Sequence, residues 1–200
     1  MKVLVVLILI VIILVWTTKR SVDLVEIPNF LTSEECDQII SRSTNLTEST
    51  VYTSKSDNIM DSRKSQQTWL YDSDPFIKGI SDRVRGIHQG SQEDMQVVKY
   101  TAGGFFKPHY DVCDGTNEYC QRMNQRGIRM YTVLVYLNDG YQGGETVFPA
   151  LNKSVKPEKG KAIVFTNVDP NGVIIRDSFH GGNPVISGEK WIANKWIYQQ

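Results

Sequence analysis

His109 and Asp111, in the stretch FFKPHYDVCD, place an imidazole and a carboxylate one residue apart, just after Pro108. On an extended strand, residues i and i+2 face the same side. The pair could therefore supply two adjacent ligands to a metal ion. By itself His-x-Asp is a weak signal, equally at home as two polar residues on a strand edge. A metal site needs a third donor from a distant part of the chain. Only two other histidines exist, His88 and His180. His88 falls at the end of an expected helix and reads as an ordinary helix-end residue. His180, in DSFHGGNPV, follows an expected strand and precedes two glycines that let the backbone turn. Two histidines and one carboxylate, with coordination positions left open, suit an Fe(II) centre that activates O₂. Zinc accepts the same ligand types for hydrolysis, and the ligands alone do not choose between the metals.

Lys190 lies ten residues after His180. If VISGEK turns the chain back, the lysine enters the same interior, where an unpaired ammonium is costly and calls for an anionic partner. A dicarboxylate cosubstrate would provide one. A zinc hydrolase leaves this lysine without a task.

The elements that must hold these residues can be read from pattern. DLVEIPNF starts with a short strand, and LTSEECDQIISRS reads as a helix with Thr32 as N-cap and Glu35 as its capping-box partner. Residues 43–66 are polar and lack a period, and are expected to form a long loop with a short strand near Val51. Asp74 and Pro75 open a second helix with Phe76, Ile77, Ile80, Val84 and Ile87 on one face. From Met95 the text becomes strands: MQVVKYT, GIRMYTVLVYLN, ETVFP, KAIVFTN, GVIIRDSFH and KWIANKWIYQ, punctuated by glycine, proline, asparagine and aspartate. Two helices followed by about eight strands predict helices packed on one side of an antiparallel barrel or sandwich.

The chain has 200 residues and a formal net charge of zero. This fits one domain with a short appendage, and argues against a nucleic-acid-binding surface. The appendage is VLVVLILIVIILVW, Val3–Trp16, without a polar residue. Its helix would span about 21 Å against a bilayer core of about 30 Å, so flanking residues must help it cross. Residues 1–18 are expected to be an uncleaved signal anchor, with a cleaved signal or a buried helix as alternatives, and residues 19–200 the working domain. A membrane-anchored protein of the secretory-pathway lumen is the expected location in a eukaryotic cell. There Cys113 and Cys120 could staple a loop, leaving Cys36 unpaired; three reduced thiols is the other reading.

YTAGGFFKPHYD, IRMYTVLVYLNDGYQGGETVFP and HGGNPVISGEKWIANKW together, with RKSQQTWL at Arg63–Leu70, resemble the collagen-type prolyl 4-hydroxylases, a family of 2-oxoglutarate oxygenases. The similarity runs from about Asp23 to Tyr198. The resemblance implies a mainly β, α+β fold: a double-stranded β-helix (jelly-roll) core with flanking N-terminal helices. It implies hydroxylation of peptidyl proline at C4 in proline-rich or collagen-like protein, with O₂ and 2-oxoglutarate converted to succinate and CO₂ and ascorbate as helper. His109, Asp111 and His180 match the iron ligands, and Lys190 matches the 2-oxoglutarate anchor, an arginine in several related branches. Tyr100 and Thr132 match positions that hydrogen-bond the cosubstrate, Trp196 a position near the substrate groove, and Tyr198 a groove position where several relatives carry histidine. Residues 52–62 would be a lid over an extended peptide. The carboxylate of Asp111 favours hydroxylation over halogenation. Other readings stay open: an oxygenase acting on another residue or a small molecule, or a barrel that binds without turnover.

Overall fold

The central strands of the second half of the chain are rich in β-branched and aromatic residues because they are buried on both faces. The structure, a computed structural model, describes residues 22–49, 62–113, 120–121 and 124–198. The strands are β1 (Leu24–Ile27), β2 (Thr47–Glu48), β3 (Arg63–Lys64), β4 (Gln66–Leu70), β5 (Met95–Tyr100), β6 (Phe105–His109), β7 (Arg129–Tyr136), β8 (Gln142–Gly143), β9 (Thr146–Phe148), β10 (Lys153–Val155), β11 (Ala162–Thr166), β12 (His180–Gly182), β13 (Val185–Ser187) and β14 (Lys190–Tyr198). Helix α1 (Ser33–Arg42) lies between β1 and β2, and α2 (Pro75–Ile87) between β4 and β5. A major sheet runs β1-β11-β7-β14-β5-β4-β2, a minor sheet β10-β9-β12-β6-β3, and β13 pairs with β8. The strand pairings are antiparallel, and the two sheets form the expected double-stranded β-helix.

Both helices start where their caps require. Thr32 accepts the Glu35 N–H and Glu35 returns a carboxylate to the Thr32 N–H; Asp74 accepts the Phe76 N–H ahead of a helix with Pro75 in its first turn. Their apolar faces, with Ile39, Ile77, Ile80 and Val84, cover one side of the major sheet at Val97, Val133, Val135, Val164, Ala193 and Ile197. The alternate residues Val98, Leu134, Tyr136, Ile163, Phe165 and Ile192 point the other way, toward Phe148, Val155 and Val185. The period of two thus separates a helix-covered core from the interior between the sheets. Gly160 shows how tightly the pieces meet: at φ +82°, a Cβ there would lie 2.2 Å from the Leu31 carbonyl oxygen.

Four expectations need correction. Residues 43–66 are not all loop: Thr47–Glu48 forms β2, Arg63–Lys64 forms β3 and β4 starts at Gln66, with β2 pairing with β4, β3 with β6 and β4 with β5. Val51 and most of the expected lid, residues 52–61, lie outside the described residues. The stretch GVIIRDSFH is not one strand, because Arg176–Ser178 forms a 3₁₀ turn and His180 opens β12. VISGEK does not fold back as a β13–β14 hairpin; β13 pairs with β8, while β14 inserts between β5 and β7.

The fourth correction is the membrane anchor and the membrane-anchored, lumenal location built on it, which are withdrawn. Among the described residues no helix is long and apolar enough to cross a membrane, and residues 1–18, on which that expectation rested, lie outside them. Cys113 and Cys120 form a disulfide, and Cys36 is a buried free thiol.

Candidate active site

The minor sheet brings the two histidines together. His180 at the start of β12 is the cross-strand partner of His109 at the end of β6, with ring centroids 4.5 Å apart. Gly181 permits this approach, since a Cβ there would sit 2.9 Å from the Phe106 carbonyl oxygen and the Pro108 nitrogen. Each ring is oriented by its own chain. His109 Nδ1 lies 2.9 Å from the Lys107 carbonyl oxygen, and His180 Nδ1 lies 2.9 Å from that of Ser178. A carbonyl only accepts, so Nδ1 carries a proton on both rings, and Nε2 is the atom each ring turns toward Asp111.

Asp111, two residues past His109, completes the group. Its Oδ1 is 3.5 Å from His109 Nε2 and its Oδ2 is 3.8 Å from His180 Nε2. One ligand atom from each of His109, Asp111 and His180 lies within 4.8 Å of the others. Burial would raise the Asp111 carboxyl, but the two histidine rings and Arg129 outweigh it and hold the group well below the usual carboxylate range. Burial pushes His180 down to about 4 despite the carboxylate beside it. An ionised Asp111 and a neutral His180 are the protonation states in which these groups bind a divalent cation.

The three ligands open into a cleft of about 700 Å³. Alternate residues of β14, namely Lys190, Ile192, Asn194 and Trp196, line it, with Tyr100 and Leu134 on the neighbouring strands and Thr146 on β9 of the minor sheet. Lys190 is 2 % exposed. Its Nζ donates to the Gly144 carbonyl oxygen at 2.7 Å and lies 5.2 Å from the Tyr100 ring and 5.8 Å from the Tyr136 ring. Among the described residues it makes no ion pair, and burial lowers its pKa to about 7 although the Glu145 charge acts to raise it. A buried ammonium surrounded by aromatic rings, at one end of a cleft with a metal-ligand cluster, fits a carboxylate of a ligand that also reaches the metal.

The structure also separates the remaining expected residues. Tyr100 lines the cleft and is the cross-strand partner of Lys190. The Thr132 hydroxyl donates to Asp111 Oδ2 at 2.6 Å and accepts from Asn167 Nδ2 at 2.8 Å, so it is engaged with the carboxylate. Trp196 lines the cleft and donates from Nε1 to the same Asp111 Oδ2 at 3.0 Å. Tyr198 is buried and packs against Gly127; it does not line the cleft. His88 caps α2 and stacks on Tyr131 at 3.6 Å, apart from the site.

Sequence reading missed several lining residues. Thr146 accepts a hydrogen bond from the Tyr136 hydroxyl at 2.7 Å beside the lysine. Arg63 lies 4.6 Å over Phe106, which in turn stacks 3.6 Å from His109. Arg129 pairs with Glu93 through two nitrogens and covers the Trp196 ring at 3.8 Å. Trp69, Gln67 and Gln96 form the outer wall. The RKSQQTWL stretch and the glycines before Thr146 were the available signals.

Comparison with known proteins agrees with this geometry. Residues 95–198 match the family model of the 2OG-Fe(II) oxygenase superfamily. The chain is 36 % identical over 198 residues to probable prolyl 4-hydroxylase 3 of Arabidopsis thaliana, covering 85 % of this chain and 67 % of the relative. It is 34 % identical over 143 residues to prolyl 4-hydroxylase subunit alpha-1 of Gallus gallus, covering 69 % of this chain and 28 % of that subunit. A mimivirus relative is covered over 59 % of its length, so the chain spans roughly three-fifths to two-thirds of its viral and plant relatives. The crystal structure of the viral collagen prolyl hydroxylase vCPH from Paramecium Bursaria Chlorella virus-1, in its 2OG complex, superposes with a TM-score of 0.70 at 34 % identity, covering 87 % of this chain and 94 % of that one. A Pseudomonas putida prolyl-4-hydroxylase shares the fold at 19 % identity and a TM-score of 0.61. The chain therefore belongs to the prolyl 4-hydroxylase family of 2OG-Fe(II) oxygenases.

Proposed function

We propose that residues 19–200 form a domain that hydroxylates peptidyl proline at C4 in proline-rich or collagen-like proteins. Turnover couples this to oxidative decarboxylation of 2-oxoglutarate to succinate and CO₂. The observation that carries the reading is one cleft holding the His109–Asp111–His180 cluster and a buried lysine that makes no ion pair among the described residues. Similarity to vCPH and to the plant prolyl 4-hydroxylases supports the peptidyl-proline substrate.

His109 Nε2, His180 Nε2 and an oxygen of Asp111 would hold Fe(II), three ligands that leave positions for cosubstrate and O₂. Bound iron supplies the redox chemistry that places one oxygen atom of O₂ in the C–H bond and the other in succinate. Lys190 would neutralise the distal carboxylate of 2-oxoglutarate, with Thr146 and Tyr136 as hydroxyl partners. Tyr100 walls the same end and keeps water from the ammonium. Arg63, Trp69 and Arg129 face the open part of the cleft, where a stiff polyproline-type segment would lie with little loss of entropy. Ascorbate would serve as the auxiliary reductant.

The test is incubation of the chain with Fe(II), 2-oxoglutarate, ascorbate and a proline-rich peptide, following succinate and peptide mass together. One added oxygen on proline, in step with succinate, supports the reading. Succinate without a change in any proline peptide of a varied set would move the substrate to another residue or a small molecule. Absence of both with iron-loaded protein would refute the oxygenase reading.

A further inference from the structure

We infer that Asn167 and Thr132 form a positioning relay that, together with Trp196, occupies one oxygen of Asp111 and leaves only the other for the metal. The inference rests on the Fe(II) reading of the site. Its starting point is an inequality between the two carboxylate oxygens. Oδ2 accepts from Thr132 Oγ1 at 2.6 Å and from Trp196 Nε1 at 3.0 Å. A carboxylate oxygen offers about two lone-pair directions, so Oδ2 is filled. Oδ1 receives neither of these bonds and faces His109 Nε2 at 3.5 Å.

The two donors reach Asp111 because of strand register. Thr132 on β7 and Trp196 on β14 are direct cross-strand partners, so they present their groups side by side on the cleft face of the major sheet. Trp196 Nε1 can only donate, but a threonine hydroxyl can donate or accept. Asn167 removes that freedom. Its Nδ2 donates to Thr132 Oγ1 at 2.8 Å, so the single hydroxyl proton is left to point at Asp111. Asn167 is fully buried just beyond β11, and its backbone is fixed by bonds to the Met130 carbonyl and from the Ile175 N–H. Its side-chain Oδ1 has no hydrogen-bond partner among the described residues. A buried amide that satisfies only one side costs stability, and an apolar residue would serve packing better. The Nδ2 bond to Thr132 is the interaction that justifies an asparagine there.

The relay has a test in which packing and positioning predict opposite results. Thr132→Val keeps the shape and removes the proton, whereas Thr132→Ser keeps the proton and removes a methyl. Full-length chains are titrated anaerobically with Fe(II), and separately with Co(II), whose visible spectrum reports its ligand set, without cosubstrate or turnover. Positioning predicts that Thr132→Val weakens metal affinity by about tenfold or more and shifts the Co(II) bands, while Thr132→Ser stays within about threefold of wild type. Asn167→Asp, whose carboxylate would draw the Thr132 proton away from Asp111, should resemble Thr132→Val. Trp196→Phe should weaken binding independently. Thermal melts of each chain separate loss of the site from loss of the fold. Wild-type affinity in Thr132→Val with a loss in Thr132→Ser would overturn the relay and assign Thr132 to packing. Failure of the wild type to bind either metal would instead overturn the Fe(II) reading, and the relay with it.

Discussion

Replacing Lys190 by methionine should make the protein more stable while abolishing tight binding of its cosubstrate. The ammonium is buried, its pKa is lowered from 10.5 to about 7 by burial, and its hydrogen bond goes to the neutral Gly144 carbonyl. A displacement of that size corresponds to roughly 5 kcal/mol spent keeping the charge inside at pH 6. Methionine fills most of the same volume but leaves the Gly144 carbonyl without its donor, which costs about 1–3 kcal/mol. A net gain of about 2–4 kcal/mol remains, equivalent to a Tm rise of roughly 4–16 °C for a chain of this size.

The pH dependence has a defined sign. Between about pH 7 and 10 the unfolded lysine keeps its proton while the folded one has released it, so wild-type stability rises with pH in that window. The advantage of the methionine chain should therefore be largest at pH 6 and shrink toward pH 9. Denaturation of both chains without 2-oxoglutarate, at several pH values, measures this directly. The same variant should weaken 2-oxoglutarate binding by about 100-fold or more, since a buried carboxylate is left unpaired. A methionine variant less stable than wild type at pH 6, or an advantage that widens with pH, would refute the account of Lys190 as a cation awaiting its anion.

Three further outcomes are expected. His109→Ala or His180→Ala should eliminate stoichiometric Fe(II) binding with little change in far-UV circular dichroism, and retained binding would remove that residue from the metal site. Tyr136→Phe deletes the hydroxyl that donates to Thr146 and should raise the 2-oxoglutarate KM by about tenfold with a smaller effect on Fe(II) affinity, as expected for one hydrogen bond near a charged ligand; an unchanged KM would detach this pair from the cosubstrate. Gly160→Ala should destabilise by about 2–4 kcal/mol, since it combines a left-handed backbone with a severe contact at the Leu31 carbonyl, and a melt within a degree of wild type would contradict that packing.

What could be read in the sequence was whatever leaves a periodic or punctuated trace. The capping residues at Thr32 and Asp74 arise from contacts within an element, and the short runs that became β5, β7, β11 and β14 are bounded by turn residues, so both survive in one dimension. The His109–Asp111 spacing and the two distant partners were visible for the same reason, and the resemblance supplied their assembly. Strand β4 was hidden because all five of its residues are half-buried beside the open cleft, which erases alternation. β2, β3 and β8 are two residues long and offer too little pattern to find. The position of Thr132 was legible but its partner was not. Its hydroxyl meets Asp111 because β7 lies beside β14 with Thr132 opposite Trp196, a fact of tertiary register. The strand of Thr146 was read as ETVFP, but its place in the cleft was not, because its neighbour Lys190 comes from the far end of the chain.

Strand β14 has a consequence for how errors in assembly express themselves. All nine of its residues are buried; it carries the lysine at one end, opposite Tyr100, and the indole that meets Asp111 at the other, opposite Thr132. Both ends depend on a single alignment. A slip of one residue would turn the two groups out of the cleft together and drive their neighbours into it. A misaligned molecule therefore loses its hold on dicarboxylate and metal at the same time, and is silent. Binding the metal without the dicarboxylate, or the reverse, would need the two ends to fail separately, which a shift of one continuous strand does not produce.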